Sequence, residues 1–225
     1  MGNVQSIYSG NTYLIKPDIK QNSVKIRITF FNKFPPEIYE GFGMDRPDKT
    51  MYFLNIALAV AARSTCLRRK FGAVIAKGNT IVGTGYNGTA KGVVNCIEAG
   101  CIKDELNLPQ ERAYDLCPAV HAEENAIINS NRADRIGATL YLAGVNADGN
   151  YTKAVPCQRC RRKIINSEIE EVVILDSTGE PIEYHVKDWI DEDTEWYLGE
   201  LARVRASGDS FARARQNTRP GQGMD

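Results

Sequence analysis

Two fragments constrain this chain more than anything else in it: His121-Ala122-Glu123 and Pro156-Cys157-Gln158-Arg159-Cys160. They make chemical sense together only if the fold brings them to one point. Cysteines at i and i+3 lie on one face of a helix, so both thiolates can reach one ion. A helix N-terminus lowers a thiol pKa through its free amides and dipole, favouring the thiolate that zinc requires. Pro156 suits such a start, since the N–H it lacks would have had no helical partner. His121 adds a nitrogen ligand and leaves a tetrahedral zinc with one open position, the mark of a catalytic site. Zinc brings the pKa of a bound water from about 15.7 to near neutrality, generating hydroxide. Glu123 lies close enough to the metal end of its helix to take that proton without being a ligand, and is the natural general acid and base.

Each piece has a blander reading by itself. A lone Cys-x-x-Cys is most often a structural zinc half-site or a redox pair, a solitary His a hydrogen-bonded core residue, and Glu123 a glutamate favoured by the helix dipole. Jointly they reproduce a zinc deaminase signature, His-x-Glu followed by Pro-Cys-x-x-Cys.

The surrounding pattern is α/β. Asp48 to Cys66 predicts an amphipathic helix opened by an Asp, and Phe71–Ala76 and Thr80–Gly85 a hairpin turning at Lys77-Gly78-Asn79. His121–Asn131 predicts a second helix, Ala138–Ala143 a strand, Cys157–Asn166 a third helix and Glu171–Leu175 a strand. Alternation in this half implies parallel crossovers, with helices on the faces of a mixed sheet. Asn146–Val155 is expected as a surface loop or hairpin, Ile182–Ile190 as an edge strand, and Val24–Phe31 as a strand ended by Pro35-Pro36. With 225 residues, one domain with extensions is expected: an N-terminal extension over 1–47, a deaminase domain over 48–180, and a C-terminal extension over 181–225. Phe211–Asp225, rich in Arg, Gly, Gln and Asn, is expected to be disordered.

The chain resembles the cytidine deaminase superfamily and, within it, the deoxycytidylate (dCMP) deaminases. The likeness runs from about Met51 to about Leu175, through Arg63-Ser64-Thr65-Cys66 to Val74, Gly85-Tyr86-Asn87-Gly88-Thr89, Val120 to Ile127, and Ile164-Ile165-Asn166. It implies a three-layer fold with a mixed five-stranded sheet flanked by helices, and a homo-oligomer, commonly a hexamer. It also implies that Asn87 hydrogen-bonds the sugar and that the Ala122 backbone reads the pyrimidine edge. Tyr86 belongs to the same segment, which points to the nucleotide branch. The family usually places Pro-Cys only a few residues after its third strand, so Gly144–Val155 is an insertion able to remodel one wall of the pocket.

Four cysteines remain, Cys66, Cys96, Cys101 and Cys117, the number a closed tetrahedral zinc needs. Some dCMP deaminases resemble this in carrying a second zinc near the same loop. A metal would also order residues 86–117, which have few core apolar groups, while four buried or free thiols are the plainer reading. A phosphorylated substrate needs cations beside the zinc. Arg68, Arg69, Lys70, Arg159, Arg161 and Arg162 are near in sequence, and Lys91 replaces a residue that is small in relatives.

The expected reaction is hydrolysis of dCMP to dUMP and ammonia, with zinc-bound hydroxide attacking C4 while Glu123 shuttles protons. A deaminase acting on cytosine or adenine in tRNA or single-stranded DNA shares the signature and draws on Arg203, Arg205, Arg213, Arg215 and Arg219. Against it stand a balance of 28 basic and 28 acidic residues and no aromatic stacking series. A zinc-stabilised binding module would have no use for Glu123. The longest apolar segment, Ile56–Ala62, runs into Arg63, far short of the ~20 residues of a membrane span. With no secretory pattern, the cytoplasm is the expected compartment.

Overall fold

A computed structural model describes residues 46–108 and 116–207, together with the backbone of Thr12–Ile15 and Ile26–Thr29. The chain divides into two compact units, Met1–Arg46 and Pro47–Asp225. In the first, β1 (Thr12–Ile15) pairs antiparallel with β2 (Ile26–Thr29), Thr12 opposite Thr29, so β2 falls inside the expected Val24–Phe31 strand. The Pro35-Pro36 stop and the expected disorder of Phe211–Asp225 lie outside the described residues.

In the second unit α1 (Lys49–Ala61) opens where Asp48 accepts the Met51 N–H at 2.7 Å, a side-chain cap that satisfies one orphan donor of the first turn. Phe53, Leu54, Ala57, Leu58 and Ala61 form its buried stripe. The helix stops at Ala61, short of the expected Cys66. Ser64 Oγ accepts the Cys66 N–H at 3.2 Å and donates to Asn87 Oδ1 at 2.7 Å, drawing the chain out of helical geometry. β3 (Arg69–Lys77) then runs buried through its middle, turns at Gly78-Asn79 and pairs antiparallel with β4 (Thr80–Tyr86). Gly78 has φ +60°, the value a two-residue hairpin asks of its first central position.

The long stretch after β4 holds a small pair, β5 (Gly88–Thr89) with β6 (Ala119–Val120), and two single-turn helices, α2 (Cys96–Ala99) and α3 (Ile102–Glu105). α4 (Ala122–Ile128) ends earlier than the expected Asn131, because the Asn129 side chain donates to the Thr84 carbonyl at 2.9 Å and α5 (Arg132–Arg135) makes a separate turn. β7 (Thr139–Asn146) pairs antiparallel with β3 and parallel with β8 (Glu171–Leu175), the crossover between them being α6 (Gln158–Asn166). β9 (Pro181–His185) pairs antiparallel with β8, giving a mixed five-stranded sheet in the order β4-β3-β7-β8-β9. The edge strand stops at His185 rather than Ile190. There α7 (Val186–Ser207) begins, with Val186 and Trp189 buried at helical spacing.

Helices cover both faces, as the three-layer expectation required. Leu54, Ala57, Val74, Ala143 and Val173 form the core under α1, while Ala73, Ala126, Leu140, Ile164, Val172 and Trp189 form the core under α4, α6 and α7. Close approach of helix to sheet depends on glycines. A Cβ on Gly72 would lie 2.0 Å from the Ala57 carbonyl oxygen, and one on Gly85 would lie 2.2 Å from the Ala126 nitrogen and 2.4 Å from the Ala122 carbonyl oxygen. Gly85 thus seats α4 directly on β4.

The Gly144–Val155 insertion is a hairpin. Asn146 Oδ1 accepts the N–H groups of Asp148 and Asn150, both at 3.0 Å, Val145 bridges Tyr151, and the Thr152 N–H returns to the Gly144 carbonyl. Among the described residues no helix is long and apolar enough to cross a membrane.

Candidate active site

His121 and Cys157 occupy equivalent places, each the extended residue that precedes a helix: φ −76°, ψ 158° before α4 and φ −66°, ψ 166° before α6. Cys160 is the third residue of α6. Pro156 therefore stands before the cap and not at the first helical position, and the two cysteines meet as cap and third residue rather than as two helical positions. The outcome is the one their spacing was read for. His121 Nδ1 is 3.5 Å from Cys157 Sγ and 3.4 Å from Cys160 Sγ, and all three donor atoms lie within 4.8 Å of one another. Tetrahedral zinc with bonds of about 2.3 Å to sulfur and 2.0 Å to nitrogen sets N···S at about 3.5 Å, so the three residues fit the metal. Lys163 and Glu124, 2.5 Å apart, tie α6 to α4 and hold the two caps together.

The donor set is also electrostatically prepared. A hydrogen bond from the Cys160 thiol, aided by His121 and working against burial, pulls Cys157 down to about 4. That same bond, burial and the nearby Glu123 push Cys160 up. His121 is raised, chiefly by its hydrogen bond with Cys157, with burial opposing. A thiolate, a second thiol and an imidazole that share protons in this way release them to a divalent cation. Glu123 is 5 % exposed, and burial raises its carboxyl above the ordinary range, with His121 opposing.

The site opens into a cavity of about 140 Å³ whose lining includes His121, Ala122, Glu123, Cys157 and Asn87. Asn87 is buried and locked to the scaffold. Its Oδ1 accepts from Ser64 Oγ at 2.7 Å and the Phe71 N–H at 2.8 Å, while Nδ2 donates to the Arg69 carbonyl at 2.9 Å. Tyr86 and Lys91, the other two expected substrate contacts, are outside the lining. The Tyr86 ring has the Arg63 guanidinium 5.9 Å from its centre, and Lys91 is exposed in the turn after β5.

Cys66, Cys96, Cys101 and Cys117 all line this cavity. Burial and then the proximity of the other three push the Cys96 thiol up. Among the described residues, however, no three of their sulfurs lie mutually within 4.8 Å, so the four are gathered around one space without closing on a point.

Of the basic residues, Arg68 and Arg69 line the cavity. Arg68 is held by Asp104 at 3.2 Å and the Leu108 carbonyl at 3.1 Å. Arg161 turns away, stacking 4.6 Å from the Trp189 ring centre and meeting Glu192 at 2.6 Å. Lys70, Arg159 and Arg162 are exposed and outside the lining. Lys103, buried on α3, lines the cavity without having had a place in the sequence reading of the site, whereas Ala154 and Val155 lie where the insertion read as able to remodel one wall returns to the cavity. For the last two the position just before Pro156 was a usable signal; for Lys103, in a loop without periodicity, there was none.

Residues 47–176, more than half of the chain, match the model of the cytidine and deoxycytidylate deaminase zinc-binding region. The chain is 40% identical over 135 residues to a deoxycytidylate deaminase of Mycobacterium phage D29, covering 58% of this chain and 96% of that one. It is 38% identical over 128 residues to a deoxycytidylate deaminase of Schizosaccharomyces pombe and 36% identical over 132 residues to one of Saccharomyces cerevisiae. These matches cover 57% and 59% of this chain and only 37% and 39% of the two yeast proteins.

Proposed function

The chain belongs to the cytidine and deoxycytidylate deaminase zinc-binding family, and from that premise we propose that it hydrolyses dCMP to dUMP and ammonia. The observation that carries this reading is Glu123, a buried carboxyl facing the cavity beside the His121, Cys157 and Cys160 donors. A structural metal site has no need of such a group. Zinc held by those three residues supplies Lewis-acid activation of a water.

The remaining work falls to side chains. Glu123 takes a proton from the attacking water, gives it to N3 of the base as oxygen bonds to C4, and carries the second proton to the exocyclic nitrogen. The C4–N bond then breaks, ammonia leaves, and the ring keeps a carbonyl at C4. Burial suits Glu123 to both halves of this traffic, because a carboxyl with a raised pKa holds a proton nearer neutrality. Asn87 has its oxygen occupied twice, so its remaining Nδ2 hydrogen makes it a donor to a sugar hydroxyl, and the Ala122 backbone meets the pyrimidine edge. Ala154 and Val155 narrow the opposite wall and keep water from the base.

Cys66, Cys96, Cys101 and Cys117 are proposed to hold a second, structural zinc, on the support of their common cavity and the coupling of their thiols. Metal analysis would find about two zinc ions per chain, falling to one in Cys96→Ser. The nucleotide substrate and a set of cysteines used as metal ligands suit the cytoplasm, and the exposed Trp196, Tyr197 and Leu198 of α7 suit contact between copies in a homo-oligomer.

The test is zinc-loaded protein assayed on dCMP, deoxycytidine, dCTP and a cytosine-containing single strand, with Glu123→Ala as blank. Selective loss of the 4-amino chromophore from dCMP supports the proposal. Turnover of the single strand alone would replace it with the polynucleotide reading.

A further inference from the structure

The first turns of α7 bury Val186 and Trp189 against the domain. To one side of that face stand Ile190, Tyr197 and Val204, which are 44 %, 57 % and 44 % exposed. They are spaced by seven residues, with Thr194 and Leu201 between them, the heptad repeat of a helix made to lie along another helix. Leu198, also exposed, flanks the stripe. Ile190, Thr194, Tyr197 and Leu198 form with Ile165 of α6 the lining of an open groove. Large apolar side chains drawn up along one line of an exposed helix mark an interaction surface.

The pattern along the helix specifies what covers it. In a two-fold contact, residue i of one copy meets residue j of the other wherever j meets i. With the axis at Tyr197, an antiparallel copy places Ile190 opposite Val204, Trp196 opposite Leu198, and Tyr197 opposite itself, so apolar meets apolar at each step. Charge obeys the same symmetry. In the first half of α7, Asp188, Asp191, Glu192, Asp193 and Glu195 outnumber Lys187; in the second, Arg203 and Arg205 outnumber Glu200. An antiparallel copy lays the acidic half on the basic half, with Asp191 opposite Arg203, whereas a parallel copy lays acid on acid. Asp191, Glu192 and Arg203 already have neighbours in their own chain, Lys187, Arg161 and Glu200. Such surface pairs hold little by themselves and leave the opposite net signs of the two halves in place. Gly199 falls opposite Glu195, and open space where its side chain would be lets the two backbones approach.

We propose that α7 is a self-recognition element, through which two copies of this chain pair in an antiparallel, two-fold contact centred on Tyr197. This rests on the homo-oligomer reading above and deepens it by naming the surface and its direction. The contact lies outside residues 47–176, the segment that matches the family, so it belongs to this chain and not to the shared zinc-binding region.

The test follows particle mass of the full zinc-loaded chain by sedimentation velocity over a concentration series, with circular dichroism to check the fold. Tyr197→Lys sets two like charges face to face at the axis. Arg203→Glu with Arg205→Glu makes both halves of α7 acidic, and Asp188→Lys with Asp191→Lys and Glu195→Lys makes both basic. Tyr197→Lys is expected to halve the particle mass where the wild type is assembled, with a rise in the Kd of pairing of about 30-fold or more, as for a residue at the centre of an interface. Each charge variant alone should be halved in the same way, and an equimolar mixture of the two should regain the wild-type mass, which misfolded chains would not do. Wild-type mass in Tyr197→Lys would overturn the assignment and leave the homo-oligomer to another surface. If that unchanged mass came with a lower thermal midpoint, the stripe would be covered by its own chain. Charge variants that assemble alone and gain nothing on mixing would overturn the antiparallel pairing. A wild type that stays monomeric at every concentration would sink the homo-oligomer reading itself, and the assignment with it.

Discussion

Glu123 and its neighbours divide into groups that hold metal and groups that move protons, and substitution separates them. Glu123→Gln keeps the shape of the side chain and removes the base. It is expected to lower kcat by about 100- to 10,000-fold with zinc content unchanged by metal analysis, whereas His121→Ala is expected to lose the metal as well. Asn87 plays two parts at once. Asn87→Ala strands the half-buried Phe71 N–H and the buried Ser64 hydroxyl, which costs up to roughly 1–3 kcal/mol for each polar group left unpaired, so urea denaturation should register it apart from any kinetic effect. The metal donors and Glu123 were legible in the sequence because zinc dictates both residue type and spacing. Tyr86 and Lys91 were read from the segment around Asn87, and both stand outside the cavity lining, Tyr86 at the end of a strand where successive side chains point to opposite sides. Lys103 was invisible because burial inside an irregular loop leaves no periodic trace.

Among the elements, α4, which follows His121 and carries Glu123, and α1, which carries no metal residue, are placed by backbone-to-backbone approach to the sheet. A methyl at Gly85 meets α4, and a methyl at Gly72 meets α1 on the opposite face. Overpacking of this kind typically costs about 1–3 kcal/mol, so both Gly85→Ala and Gly72→Ala should lower the thermal midpoint. Gly85→Ala should in addition weaken zinc affinity, since it displaces the helix that carries His121 and Glu123, while Gly72→Ala should leave affinity near wild type. Competition against a chromophoric chelator would read the difference. The strands of the sheet were legible because their apolar runs are bounded by turn residues. Helix ends were less so: α1 and α4 stop early where Ser64 and Asn129 trade a helical continuation for side-chain bonds to neighbours distant in sequence.

For the molecule as a whole, residues 181–207 are built into the fold rather than appended to it. β9 completes the sheet, and Trp189 of α7 is 4 % exposed beneath Arg161 of α6. Ending the chain at Glu180, the boundary expected from sequence, would uncover the long edge of β8 and the apolar patch under α7. The truncated chain is expected to be recovered mainly as aggregate, and Trp189→Ala alone should cost about 3–5 kcal/mol in denaturant unfolding. The edge strand beyond Asp176 was legible in the sequence, whereas the helix that begins at Val186 was not, because an acidic run from Asp191 follows the buried Val186 and Trp189. A different consequence belongs to the inserted hairpin. Its base is fastened twice, by Thr152 to Gly144 and by Ala154 to Leu175, while its tip at Asp148 and Gly149 has open space beside the glycine. Because the fastening lies between tip and pocket, the tip is a permissive port: an epitope or reporter domain spliced at Asp148 would ride on the surface without reaching the chemistry.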